Sequence, residues 1–229
     1  MTEDRRRRKG RPKNGPEREI RRQELLDAAV RAIRADGEEV SMDAIAAEAG
    51  ITKPILYSHF GDKAGLAEAL AQQFNGILTQ LLIDGVDRTL PTRDTLLAMI
   101  DVYVSLIDAE PKLYRFLING PAASNGRRQL IEDLATLVAR DLGQRLRAEG
   151  ADSGGAEPWA YGIVGMVDLA ASWWLDRQTM SRSDLVEYLT KLIWGGLSAN
   201  GLGTQEPAVV SDLTRRTAAP PRSVRATPT

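Results

Sequence analysis

The 229-residue chain has no cysteine and a single histidine, His59. Without thiols there is no disulfide framework, no thiolate nucleophile and no Cys/His zinc site, and one imidazole alone holds no metal. This usage fits a reducing compartment, and a cytoplasmic location is expected. No apolar run reaches membrane-spanning length, because the stretch 162–175 is broken by Asp168. The N-terminus is charged with no apolar segment behind it, unlike a secretory signal. There is also no convincing phosphate loop and no second histidine, and Asp84 and Asp87 read as a solvated helix face. Neither an enzyme nor a cofactor is expected on these grounds.

What remains is an ordinary globular composition, 43% hydrophobic and 27% charged, long enough for a small domain joined to a larger one. The net charge of −1 hides an asymmetry. Residues 1–22 carry ten Arg and Lys against four Asp and Glu, whereas residues 23–229 carry twenty against twenty-seven. A basic arm on an acidic body points to a polyanion partner for the arm, or to a solubilising tail.

The periodicity predicts an all-helical fold. Residues 1–16 form a basic arm with nothing to bury, expected to be disordered. From Glu17 an apolar face appears at Ile20, Leu25, Leu26, Ala29, Val30 and Ile33, and Gly37 ends that helix. Ser41 caps a short helix over 42–49, closed by Gly50. Thr52 caps a third, with Pro54 in its first turn, that runs to Phe60. Asp62 caps a long fourth helix. That helix is predicted near 63–86, and further ones near 93–109, 111–119, 126–148, 157–177 and 182–199, with breaks at Pro91, Pro111, Pro121, the 150–155 segment and Ser181. The predicted organisation is a helix-turn-helix unit over 17–63, a larger helical domain over 64–202, and a disordered tail over 203–229.

Two short helices joined by a tight glycine turn, with a supporting helix before them, form a helix-turn-helix, whose second helix reads the major groove. Ala46, Ala49, Ile51 and Leu56 would pack the pair, leaving Lys53, Ile55, Ser58 and His59 outward and Tyr57 at the edge. Lys63 and the amides at the start of its helix suit a phosphate. The segment from Ser41 to Lys63, with its Ile45-Ala46 pair, Ala49-Gly50 turn, Leu56-Tyr57 pair, Phe60 and Lys63, resembles the DNA-binding segment of TetR-family regulators. The resemblance implies phosphate contacts from Ser41, Tyr57 and Lys63, and base-edge contacts from Lys53, Pro54, Ile55 and His59. Thr52 keeps two readings, cap and phosphate donor, and the cap is preferred. Glu38 and Glu39 depart from the family, which often has an aromatic there. In the arm, Arg8, Lys9, Arg11 and Lys13 around Gly10 and Pro12 resemble a minor-groove hook.

Residues 64–200 carry twelve basic and seventeen acidic side chains, so this part is not expected to bind DNA. Leu97, Ile100, Val104, Leu113, Phe116, Leu117, Leu137, Trp159, Ile163, Met166 and Val167 either line a cavity or fill an ordinary core; for any one of them the core is the preferred reading, and the cavity is what the family resemblance implies. The stretches 162–176 and 194–198 are similar to the last two helices of TetR-type regulators of lipid metabolism, some of which respond to long-chain acyl-CoA. The resemblance implies a homodimer joined through a four-helix bundle, with Trp174, Leu185, Leu189, Leu192, Ile193, Gly196 and Leu197 at the interface. Gly162, Gly165, Gly195 and Gly196 would allow close helix approach.

The expectation is a homodimeric, ligand-responsive repressor on a pseudo-palindromic operator, with a small apolar effector such as an acyl-CoA and no membrane partner. An architectural DNA binder led by the arm, and a lipid carrier or enzyme using the cavity, are the alternatives. Deleting residues 1–13 is expected to weaken DNA binding and flatten its salt dependence, by about 0.9 in log–log slope per lost phosphate contact. An unchanged slope in a salt titration would reduce the arm to a solubility tail.

Overall fold

The computed structural model describes residues 15–87, 89–121 and 123–203. The arm residues Arg8, Lys9, Arg11 and Lys13 and nearly all of the 203–229 tail lie outside the described residues. Among the described residues the architecture is helical throughout: α1 (Gly15–Asp36), a 3-10 turn (Gly37–Glu39), α2 (Met42–Glu48), α3 (Lys53–Phe60), α4 (Lys63–Asp84), α5 (Thr92–Ala109), α6 (Pro111–Asn119), α7 (Ala123–Ala148), α8 (Ala156–Arg177) and α9 (Arg182–Ala199). No helix is long and apolar enough to cross a membrane, among the described residues.

The helices follow from local signals. Ser41 Oγ accepts from the Ala44 amide at 3.1 Å, Asp62 Oδ1 from the Gly65 amide at 2.8 Å, and Ser181 Oγ from the Asp184 amide at 3.1 Å, each satisfying a donor that a helix start leaves unpaired. Helix α1 begins at Gly15, two residues before the expected Glu17, and α7 begins three before the expected 126. Sequence reasoning missed the 3-10 turn after α1, which has no periodicity of its own at three residues.

A continuous apolar core runs through both ends of the molecule. In the N-terminal unit it contains Leu25, Ala29 and Ile33 of α1, Ile45 and Ala46 of α2, and Leu56 and Phe60 of α3. Helix α4, 22 residues and so about 33 Å long, carries it onward: Leu66 and Leu70 belong to the same core as Phe74, Leu78 and Leu82. The C-terminal part is built on α7 against α8 and α9 against α5, with α6 wedged between this body and the N-terminal unit.

Two glycines carry specific constraints. Gly50, in the α2–α3 turn, has φ 63°, a conformation that side chains with a Cβ adopt at a cost. At Gly65 a Cβ would lie 2.0 Å from the Phe60 carbonyl oxygen. Gly65→Ala is therefore expected to lower stability by about 1–3 kcal/mol, where an unstrained helical Gly→Ala change would raise it. Thermal and urea unfolding of the two proteins measures the sign directly.

Candidate nucleic-acid interface and effector cavity

The second helix of the pair, α3, buries Leu56 and Phe60 and turns its opposite side outward. Lys53, Pro54, Ser58 and Thr52 are exposed, with Ile55 at 44% and Tyr57 at 39%. Ala46 is buried and Ala49 and Ile51 half-buried, as the helix-turn-helix packing requires. Lys53 Nζ donates to Asp43 Oδ2 at 2.9 Å, and that bond raises the lysine above its ordinary pKa. This ammonium therefore bridges α2 and α3 and must leave Asp43 to reach a base edge.

Three of the expected contact residues have particular surroundings. Thr52 occupies the cap position of α3, but its side chain makes no capping bond, which favours the phosphate-donor reading over the preferred cap. His59 is half-buried, tilted against Phe60 at 6.2 Å between ring centres. Its burial, and then the charges of Arg18, Arg21 and Arg22, hold its pKa below the ordinary histidine value, so at neutral pH it offers one neutral donor. Lys63 is turned away from the α3 face: its Nζ stands 5.6 Å from the centre of the Phe116 ring, beside the Glu38 carbonyl. A phosphate contact from Lys63 requires it to leave that place.

Helix α6 fastens this unit to the rest. Lys112 Nζ donates to the carbonyls of Arg34 and Ala35 at 2.8 Å each, pairing oxygens that the end of α1 would leave bare. The Arg34 guanidinium forks onto the Glu110 carboxylate, with Nε to Oε2 at 2.9 Å. Asn119 Nδ2 donates to Glu38 Oε2 at 3.1 Å. Glu38, unusual in sequence, is thus part of the junction.

Among α4, α5, α7 and α8 lies a small apolar cavity of about 60 Å³. Its wall is Leu96, Met99, Ile100 and Tyr103 of α5, Leu134 and Val138 of α7, Ile163, Val164 and Val167 of α8, and Leu82 of α4. Ile100, Ile163 and Val167 were expected there; the others depart for reasons of helical phase. Leu97 and Leu137 each sit one step round from wall residues Leu96 and Val138, and are half-buried in the packing between helices. Val104 and Phe116 are fully buried core residues, and Leu117 packs with them. Leu113 lines a groove between α1, α4 and α6, while Trp159 and Met166 line one between α8 and α9.

Behind the Tyr103 ring stands a polar cluster. Asp168 of α8 is buried; its Oδ1 accepts from Tyr103 Oη at 2.7 Å and Tyr114 Oη at 3.0 Å, and its Oδ2 from Arg127 Nε at 2.8 Å. Burial, reinforced by nearby charge, pushes both phenols well above their ordinary pKa and keeps them as neutral donors. Sequence reasoning saw Asp168 only as an interruption in an apolar run. A lone carboxylate inside such a run was itself the available signal, since a charge there has to be paired.

The apolar stripe expected to join two copies is turned inward. Leu185, Leu189, Ile193 and Leu197 are buried within the protomer, where α9 packs on α5, and Trp174 is buried with its Nε1 donating to the Met180 carbonyl at 2.9 Å. Of the expected set only Leu192 and Gly196 face outward, with Tyr188 on α9 and Leu169, Met166 and Trp173 on α8.

A family model described as bacterial regulatory proteins, tetR family, matches residues 25–70, and one described as tetracyclin repressor-like, C-terminal domain, matches residues 81–209. The chain is 38% identical over 182 residues to an uncharacterized HTH-type transcriptional regulator of Mycobacterium tuberculosis, covering 77% of each protein. It is 29% identical over 185 residues to the HTH-type transcriptional activator FasR of Mycolicibacterium smegmatis, covering 79% of this chain and 84% of that one. The solved structure of FadR from Bacillus subtilis in complex with stearoyl-CoA shares the fold, with a TM-score of 0.62 at 18% identity over 76% of this chain and 98% of that one.

Lys53→Ala is expected to weaken binding to a selected duplex site by about 1–3 kcal/mol and to relax preference at the base it faces, with the thermal midpoint little changed. Fluorescence anisotropy on the selected site and on single-base variants reads both effects. Equal loss on every sequence would assign Lys53 to a phosphate instead.

Proposed function

The chain belongs to the tetR family of bacterial regulatory proteins, and from that we propose a one-component transcriptional regulator whose operator binding responds to a long apolar ligand held among its C-terminal helices. The observation that carries this reading is the pairing of an outward-turned α3 with an apolar cavity among α4, α5, α7 and α8, three of which also pack on α6, the helix that fastens the N-terminal unit. The cavity, about 60 Å³, is smaller than the roughly 300–1,000 Å³ of small-molecule sites, so a long ligand enters only as the surrounding helices part. The stearoyl-CoA complex of a protein with this fold supports a long-chain acyl-CoA as the ligand.

The regulator acts as a homodimer, its two α3 helices entering successive major grooves about one helical turn apart. The surface that suits a second copy is the outer side of α8 and α9. Leu169 and Leu192 are 63% and 64% exposed, and Tyr188 stands beside Leu192 in the same stripe. Cβ atoms at Gly162, Gly165, Gly195 and Gly196 would touch nothing in the protomer, leaving room for helices from outside it. Between α8 and α9 runs an open groove, walled by Trp159, Met166 and Leu192, that a partner's helix can enter. The glycines cost helix propensity, about 1 kcal/mol each relative to Ala, which close packing against a partner offsets.

Repression follows where the operator overlaps the promoter, and activation where it lies upstream; one relative, FasR, is named an activator. Footprinting on the DNA upstream of the protein's own gene, with and without oleoyl-CoA, tests the whole reading. A protected pseudo-palindrome released by oleoyl-CoA is the expected result. Protection that ignores it removes the ligand class, and the absence of any discrete footprint on selected sites favours the architectural alternative.

Leu169→Glu with Leu192→Glu is expected to give a folded monomer in sedimentation at micromolar concentration, with operator binding lost. A dimer that survives both changes would place the interface elsewhere.

A further inference from the structure

Asp168 is 1% exposed, yet it carries a charge into the interior of four packed helices. Such a group is costly unless all its partners stay in place. Arg127 of α7 covers Oδ2, with Nε at 2.8 Å and Nη2 at 2.6 Å. The other oxygen takes both phenols: Tyr103 from α5 at 2.7 Å and Tyr114 from α6 at 3.0 Å. Those two tyrosines have different surroundings. The ring of Tyr103 is part of the cavity wall, whereas Tyr114 sits between Lys112 and Phe116, the residues of α6 that hold the end of α1 and face Lys63.

We propose that Asp168 is the positioning residue that couples filling of the cavity to α6, and through α6 to the DNA-binding helices. The proposal rests on the ligand-responsive reading given above. Since both hydroxyls share one acceptor oxygen, Tyr103 and Tyr114 do not move independently. A ligand that pushes the Tyr103 ring outward drags the carboxylate for as long as their bond holds, and Tyr114, bonded to the same oxygen, moves with it. Arg115 gives α6 a second tie to α8, through the Leu175 carbonyl at 3.0 Å and Asp176 at 3.3 Å, but it does not touch the cavity wall. The Asp168 cluster is thus the polar path from cavity wall to junction that the described residues contain.

Tyr114→Phe keeps the ring and removes only the hydroxyl, so it is the working variant; Asp168→Asn would also strip Arg127 of its counter-charge. A cavity-filling change, Val138→Phe, stands in for the ligand. Operator affinity of the full chain is measured for wild type, Val138→Phe, Tyr114→Phe and the double variant. Val138→Phe is expected to lower affinity at least tenfold in the wild-type background and less than threefold in the Tyr114→Phe background, with Tyr114→Phe alone within threefold of wild type. Equal losses in both backgrounds overturn the proposal, leaving the cluster a structural one, and so does a Val138→Phe variant that binds as wild type does. Oleoyl-CoA added to wild type separates the two readings: no response beside an intact Val138→Phe effect overturns the ligand class and supports the coupling.

Discussion

A carboxylate held away from water sets the terms for the centre of this molecule. Asp168 requires its compensation from three directions, and Tyr103, Tyr114 and Arg127 supply it from α5, α6 and α7. Removing one partner of a buried pair of this kind typically costs about 3–5 kcal/mol, whereas replacing the whole set by apolar groups is often neutral. The cluster is therefore poorly explained as a source of stability. It is better explained as a constraint on geometry: four helices must agree on the position of one oxygen pair, and the cavity wall belongs to one of them.

The N-terminal unit is joined to this centre by polar contacts set around an apolar core. Lys112 satisfies carbonyls at the end of α1, Arg34 and Glu110 form a forked pair, and Asn119 reaches Glu38. Exposed pairs of this type contribute little to stability individually, up to about 1 kcal/mol. They are directional, however, and they bind the end of α1 and the following 3-10 turn to α6 and to the α5–α6 junction. A shift of α6 therefore reaches α1 directly, and α3 through the core that α1 shares with it. A ligand changes DNA affinity through this route only by as much as its own affinity differs between the two arrangements.

The electrostatic division of the chain suits its proposed task. Most of the excess positive charge lies before residue 23, and the domain that would hold the ligand is acidic. Attraction to DNA would thus come from the N-terminal part of the sequence. Lys53 is the exposed cation on α3 itself, and its bond to Asp43 gives it a defined position in the absence of DNA.

The helices and their order were legible from the residues alone, because caps, proline breaks and three-to-four-residue periodicity are local. Ser41 and Asp62 cap where their spacing says they should, Ser181 marks the break before α9, and α6 and α9 have the expected bounds. The helix-turn-helix was legible for the same reason, since its two helices and turn occupy fewer than twenty-five consecutive residues. Periodicity states that a helix has an apolar face; it does not state what covers that face. On α9 the stripe of Leu185, Leu189, Ile193 and Leu197 met α5 of its own chain, leaving the less apolar side with Tyr188 and Leu192 to face outward. Membership of the cavity wall likewise turned on a rotation of one residue along α5 and α7, smaller than any sequence pattern resolves. Asp168 and its partners are separated by 41 to 65 positions, so nothing short of tertiary packing decided that they would meet. Local chemistry determined the elements, and the competition among apolar faces and one buried charge decided their arrangement.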